Sequence, residues 1–269
     1  MKLRVLVDNN TYIDQYYWGE PGACYYMEDG DARILLDTGY SDAFIRNAEA
    51  MGIDLSKLTH IVLSHSHDDH TRGLKFLKEK ADLSRVEIVA HPDCFYPRAE
   101  DGLYFGPPFT AQEVADFAKL TLTKEPYQIT ENLIYLGEIK DCFPHEQRRV
   151  LGQKETEDGW QDDYCYDDSA LAYHCEEGVF IITGCSHSGI CNITEQAKDL
   201  WKDDRVAGIL GGFHLFEVDD RLKDTIDYLE SCNIKNFYPC HCASLKAKAK
   251  MMEKLDVEEV GVGLELEIK

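Results

Sequence analysis

The sequence predicts an α/β fold in which two β-sheets pack face to face with helices on the outside. Two observations predict it. In both halves of the chain, β-rich runs give way to alternating strands and helices. With 269 residues, 44% hydrophobic and 29% charged, there is ample apolar surface for one large packed unit and no bias towards disorder.

Residues 3–7, 24–27 and 34–36 read as strands, the last running into Asp37-Thr38-Gly39. Ser41 or Asp42 can cap a helix over 43–51, because a short side-chain oxygen accepts the free N–H groups of a first turn. A buried strand follows at 60–64, then a helix at 73–80 and a strand at 86–90. Residues 91–168 read as an irregular insertion within a single domain spanning 1–269, with a helix over 111–119 and a strand at 133–136. Seven of the 14 residues in 155–168 are acidic, which predicts an exposed, solvated loop, or as a sharper alternative a mobile cover over a site. Residues 170–175 and 179–183 form a hairpin, after which helices (190–201, 221–231, 244–255) alternate with strands (206–210, 236–238, 264–268).

Charge excludes some partners. Twenty-eight basic against 50 acidic residues leave −22, so the average surface repels phosphate backbones and anionic lipids. Neither nucleic acid nor membrane is expected as a partner, and an anionic substrate needs a local site. No apolar run is long enough to span a bilayer, and Asp8 stands where a signal peptide's apolar stretch would continue, so a cytoplasmic location is expected. In that setting the ten cysteines read as reduced thiols or metal chemistry rather than a disulfide framework.

The sharpest signal is Ser64-His65-Ser66-His67-Asp68-Asp69-His70, directly after a buried strand. Imidazole nitrogens and carboxylate oxygens are the donors that borderline divalent ions such as zinc take. A polar surface turn would not explain why further histidines recur just beyond other apolar strands, at His187, His214 and His241. Strand ends on one edge of a sheet converge on one place. Ser188-Gly189-Ile190 opens a helix beside His187, which makes its free N–H groups a candidate anion site, with Ser188, Asn192 and Arg72 as substrate contacts or else as caps and solvated surface. The thiols of Cys240-His241-Cys242 read as small packed apolar groups, and His91 as a turn residue.

His65, His67, Asp69 and His70 match the His-x-His-x-Asp-His signature, and on them the chain resembles the metallo-β-lactamase superfamily. The resemblance implies a four-layer αββα sandwich with a metal centre at one edge. By position, it implies that His65, His67 and His187 hold one ion and Asp69, His70 and His241 a second, with Asp37 orienting a ligand histidine. Two divalent ions are expected, zinc first, with Mn2+ or Fe2+ as alternatives. His67 departs from the flavodiiron branch, which has Glu there, and His70 from the true β-lactamases. Val5 to Asn9, Gly184 to Asn192, Gly211 to Leu215, Pro239 to Cys242, Tyr166 to Leu171 and Glu146 resemble the dihydropterin–ribofuranosylaminobenzene phosphate synthase-like branch.

One departure stands out: many members bridge both ions with an Asp near Gly211-Gly212, yet no Asp occurs between Ile209 and Val218. His214 is the nearby candidate, as ligand or as substrate contact, but an imidazole nitrogen with one lone pair cannot bridge. The expected activity is a metal-dependent hydrolase that uses metal-activated hydroxide on a small anionic substrate, with Asp69 and His214 in catalytic roles. The substrate is a small molecule, phosphorylated or pterin-like. The alternatives are a dihydropterin diphosphate-type transferase, a same-fold nuclease and a non-catalytic ligand sensor; the sequence does not specify the oligomeric state.

Overall fold

The computed structural model describes residues 1–269. One main sheet has seven strands, in the order Glu265–Glu267, Lys2–Val7, Cys24–Asp29, Ala32–Leu36, His60–Val62, Glu87–Ala90, Lys119–Leu122. The other main sheet has six strands, in the order Phe237–Cys240, Val206–Gly212, Gly178–Thr183, Ala170–Cys175, Leu133–Tyr135, Tyr127–Gln128.

Period-two side-chain alternation sorts the strand residues into layers. Ile34 and Leu36 point into the seam between the sheets, where they meet Tyr135, Leu171, Ile182 and Leu210, while Leu35 points outward to the helix layer. Helices Ala43–Ala50 and Leu74–Lys80 cover the first sheet through Phe44, Ile45, Leu74 and Leu77. Helices Ile190–Trp201, Asp220–Ser231 and Leu245–Met251 cover the second through Ile193, Leu222, Ile226 and Met251. The result is the four-layer αββα sandwich.

Strands Ala32–Leu36, His60–Val62, Glu87–Ala90 and Lys119–Leu122 run parallel, as do Gly178–Thr183, Val206–Gly212 and Phe237–Cys240. Their C-terminal ends therefore gather along one edge of the sandwich, the location where open α/β sheets place ligands.

Two expectations for residues 91–168 are corrected. The helix at 111 stops at Ala115, held at its start by a Thr110/Glu113 capping box, and Lys119–Leu122 is an edge strand beside Glu87–Ala90. The acidic run is exposed at Glu155, Glu157, Asp158 and Asp162, as expected, but it is not a loop and its last three acids are not solvated. Gln153–Thr156 and Gly159–Asp162 form a hairpin in a four-stranded sheet with Arg98–Glu100 and Leu103–Tyr104, and Asp163, Asp167 and Asp168 are fully buried.

Their partners explain the burial. The fully buried Arg98 donates through Nε to Asp163 at 2.6 Å and through Nη2 to Asp167 at 3.0 Å, and its Nη1 reaches the carbonyls of Asp93 and Tyr96. Charges withdrawn from water in this way must be paired and hydrogen-bonded to be tolerated. No helix is long and apolar enough to cross a membrane.

Candidate metal centre

The turn after His60–Val62 is positioned by one carboxylate. Asp37 Oδ1 accepts the Ser64 N–H at 2.7 Å, and its Oδ2 accepts the Ser64 hydroxyl at 2.7 Å and the His70 Nδ1–H at 2.6 Å. With its proton committed to Asp37, the Ser64 hydroxyl oxygen accepts from His65 Nδ1 at 2.9 Å. Both imidazoles are thereby fixed in the tautomer that leaves the Nε2 lone pair available. Asp37 has φ 61°, a left-handed conformation that Asp and Asn tolerate better than most residues. Gly184 makes the close approach possible: a Cβ there would lie 2.1 Å from Ser64 Oγ.

His65, His67 and His187 face one another, with ring centroids 4.5 Å apart (His65 to His67), 4.8 Å (His65 to His187) and 4.9 Å (His67 to His187). The Nε2 atoms of His65 and His67 and both ring nitrogens of His187 are buried without a hydrogen-bond partner. Buried polar atoms are rarely left so, and three imidazoles with unused nitrogens fit a divalent cation. Burial also holds these rings neutral: His65 and His187 titrate well below the usual histidine range, and His67 at about 4.

A second group adjoins the first. Asp69 Oδ2 lies 3.6 Å from His70 Nε2 and 3.3 Å from His241 Nε2, and the two nitrogens are 3.2 Å apart. Burial disfavours charge on Asp69, but His70, His241 and His67 outweigh it and hold the carboxyl below the usual range. Burial likewise opposes charge on His70, yet Asp69 and Asp37 push it up to about 9, so an ion taking the Nε2 lone pair would displace a proton from it. Three donors converge here too, in a mixed N/O set suited to a divalent ion.

His241 is held by residues that motif reading did not single out as site residues. Asp8 Oδ1 accepts its backbone N–H at 2.7 Å, and Asn9 Oδ1 lies 3.0 Å from its Nδ1. The signal was present: Asp8 is a carboxylate at the end of an apolar strand. His214 packs its ring 4.3 Å from His187, and its Nδ1 is buried without a partner.

Other candidates lie elsewhere. The helix N-terminus at Ile190 is occupied, since Glu146 accepts the N–H groups of Cys191 and Asn192 at 3.0 and 2.9 Å. Ser188 is bonded to Asp168, and Asn192 to the Ser188 carbonyl and the N–H groups of Cys142 and Phe143. Both are buried structural residues, so the expected anion site there is corrected. Arg72 lines a separate groove with Tyr40, Asp68, Lys75 and Lys78, its guanidinium 4.2 Å from the Tyr40 ring centroid. His91 caps a turn, as expected, by accepting the Asp93 N–H. Cys240 is packed against Tyr25, but Cys242, past the strand end, borders the cleft.

The histidines open into a cleft of about 400 Å³ whose walls include Glu100, Phe105 and Leu151. A smaller recess of about 120 Å³ shares His187 and His214 with it and carries Arg149 and Arg221. The Arg221 Nε is buried without a partner, an unspent donor beside the histidines.

This is a metal-binding architecture, and the comparisons agree. The metallo-beta-lactamase superfamily profile matches residues 17–132. Over 261 residues the chain is 31% identical to MJ0448, an uncharacterized protein of Methanocaldococcus jannaschii, covering 93% of this chain and 94% of that one. The chain belongs to the metallo-β-lactamase superfamily.

It is also similar to the 7,8-dihydropterin-6-methyl-4-(beta-D-ribofuranosyl)-aminobenzene-5'-phosphate synthase of the same organism, at 28% identity over 98% of this chain and 95% of that one. Among solved structures, Tm1679, a metal-dependent hydrolase of the beta-lactamase superfamily, superposes with a TM-score of 0.85 at 26% identity, covering 100% of this chain and 99% of that one. Zn(2+)-bound PqqB from Methylobacterium extorquens shares the fold alone, with a TM-score of 0.58 at 13% identity over 100% of both chains.

Asp37→Asn tests the orienting carboxylate. Asn keeps the left-handed backbone and one carbonyl acceptor but cannot accept from both Ser64 and His70. Metal affinity, measured by competition with a chromophoric chelator, is expected to fall about 10- to 100-fold, the usual effect of removing such a partner. Unchanged affinity would show that Asp37 serves folding only.

Proposed function

We propose that the protein is a metal-dependent hydrolase acting on a small anionic molecule. The observation that carries this reading is the pair of facing donor sets, with buried ring nitrogens left unpaired at His65, His67 and His187. In this reading His65, His67 and His187 hold one divalent ion and Asp69, His70 and His241 the other, zinc being the ion that best suits the donors. When bound, such ions acidify a water molecule and draw charge from the substrate oxygen.

The chain's own groups do the rest. Asp69 turns Oδ2 to the histidines, leaving Oδ1 to take a proton from the nucleophilic water. Arg149 and Arg221 offer guanidinium donors to an anionic group in the recess beside His187 and His214. The recess also holds Glu217 and Asp219, so it is the placed guanidinium donors, not a net positive charge, that would select an anionic group on a chain of net charge −22.

The test is metal analysis of protein purified without added metal, followed by turnover assays on phosphoesters, lactones and thioesters. No bound metal after supplying zinc, manganese or iron(II) would overturn the reading. A second reading, a transferase acting on a dihydropterin diphosphate and an aryl amine, is favoured by the likeness to the synthase. Product formation from that pair without hydrolysis of the diphosphate alone would establish it.

His214→Ala separates ligation from substrate contact. With His241 already in the second donor set, His214 is assigned to the substrate. Metal stoichiometry is expected to stay unchanged while kcat/KM falls roughly 10- to 100-fold, the size of one charge-assisted hydrogen bond. Loss of an equivalent of metal would instead make His214 a ligand.

A further inference from the structure

The absent bridging carboxylate leaves the two donor sets without a shared negative group, and a sulfur lies between them. Cys185 Sγ is within 4.8 Å of ligand nitrogens of His65 and His187 in one set, and of His70 and His241 in the other. It approaches His70 Nε2 to 3.2 Å. The side chain is buried, and the same space receives the unpaired Nε2 of His65 and the unpaired nitrogens of His187.

Glycines hold the segment close. The Gly212 N–H donates to the Gly184 carbonyl at 2.9 Å, and a Cβ on Gly212 would lie 3.2 Å from the Cys185 Cα. A Cβ on Gly184 would strike the Ser64 hydroxyl that orients His65. The backbone on both sides of Cys185 is thus pressed against the donor sets by residues that leave no room for a side chain.

Thiolate sulfur binds zinc-like ions well, and unlike a neutral imidazole nitrogen it has lone pairs for more than one ion. We propose that Cys185 is a metal ligand shared by the two sites, supplying as a thiolate the bridging negative charge that an Asp supplies elsewhere. This rests on the metal-centre reading given above. On metal binding the S–H bond breaks, its proton passes to solvent, and the sulfur lone pairs form the metal–sulfur bonds with no change of oxidation state.

Cobalt(II) substitution tests it, because sulfur ligation gives a near-ultraviolet charge-transfer band while visible d–d bands report any bound cobalt. The wild-type protein titrated with cobalt chloride is expected to show both. Cys185→Ser and Cys185→Ala are expected to lose the charge-transfer band and keep d–d absorption from the histidine sets, whereas Cys242→Ala keeps both. A charge-transfer band that survives in both Cys185 variants, or that disappears in Cys242→Ala, overturns the assignment. Wild-type d–d bands without charge transfer also overturn it while leaving the metal centre intact. Absence of all cobalt bands overturns the metal-centre reading and this inference with it.

Discussion

Asp69→Asn is expected to lower turnover about 10²- to 10⁴-fold, the range typical of a lost general base, while leaving the thermal midpoint close to that of the wild type. Within the second donor set Asp69 supplies the carboxylate, set against the Nε2 atoms of His70 and His241, and it is also the group assigned to take the proton. An amide has the same shape but neither charge nor basicity. The part of Asp69 that serves the fold is its backbone carbonyl, which accepts the Ala23 N–H at 3.2 Å and is untouched by the substitution. Strand packing at Leu36, Ile61 and Ile182, all fully buried, carries the stability instead. Steady-state kinetics and thermal unfolding of the same preparation check the division. Equal losses in both would show that Asp69 is a structural residue.

Arg98→Met should have the opposite profile. Methionine fills similar space but leaves Asp163 and Asp167 as facing buried carboxylates without a cation, which costs about 3–5 kcal/mol. At roughly 2–4 °C per kcal/mol for a chain of this size class, the midpoint should drop by about 10 °C. A second effect reaches the histidines, because Asp167 Oδ2 accepts the N–H of Ser66 at 2.9 Å, between His65 and His67. Replacing both carboxylates as well, by Asp163→Asn and Asp167→Asn, should restore part of the stability by removing the unpaired charge. An unchanged midpoint in Arg98→Met, measured by calorimetry, would contradict the picture of a buried ionic anchor.

The parts of this architecture that were legible in the sequence are those written locally. His65, His67, Asp69 and His70 occupy one turn, and each remaining histidine of the cluster follows an apolar run, so residue type and position sufficed. The helix over Ile190–Trp201 was legible for the same reason, its amphipathic face being continuous.

What stayed hidden depends on pairing at a distance. Asp163 and Asp167 looked like solvated charge because their partner, Arg98, stands 65 and 69 positions away. The helix start at Ile190 looked free because the carboxylate that fills it, Glu146, lies in an irregular segment. Arg149 and Arg221 gave no signal, since nothing in their neighbourhood along the chain marks the recess they share.

Glu100 of the four-stranded sheet, with Phe105 and Leu151 just beyond its strands, walls the cleft, yet none of the residues assigned to the metals comes from that sheet. The wall over the cleft and the donor groups beneath it therefore come from different strands. Substitutions at Glu100, Phe105 and Leu151 would reshape the entrance while leaving the donor side chains beneath it in place, whereas exchange of a longer stretch would also remove Lys119–Leu122, Tyr127–Gln128 and Leu133–Tyr135 from the two main sheets.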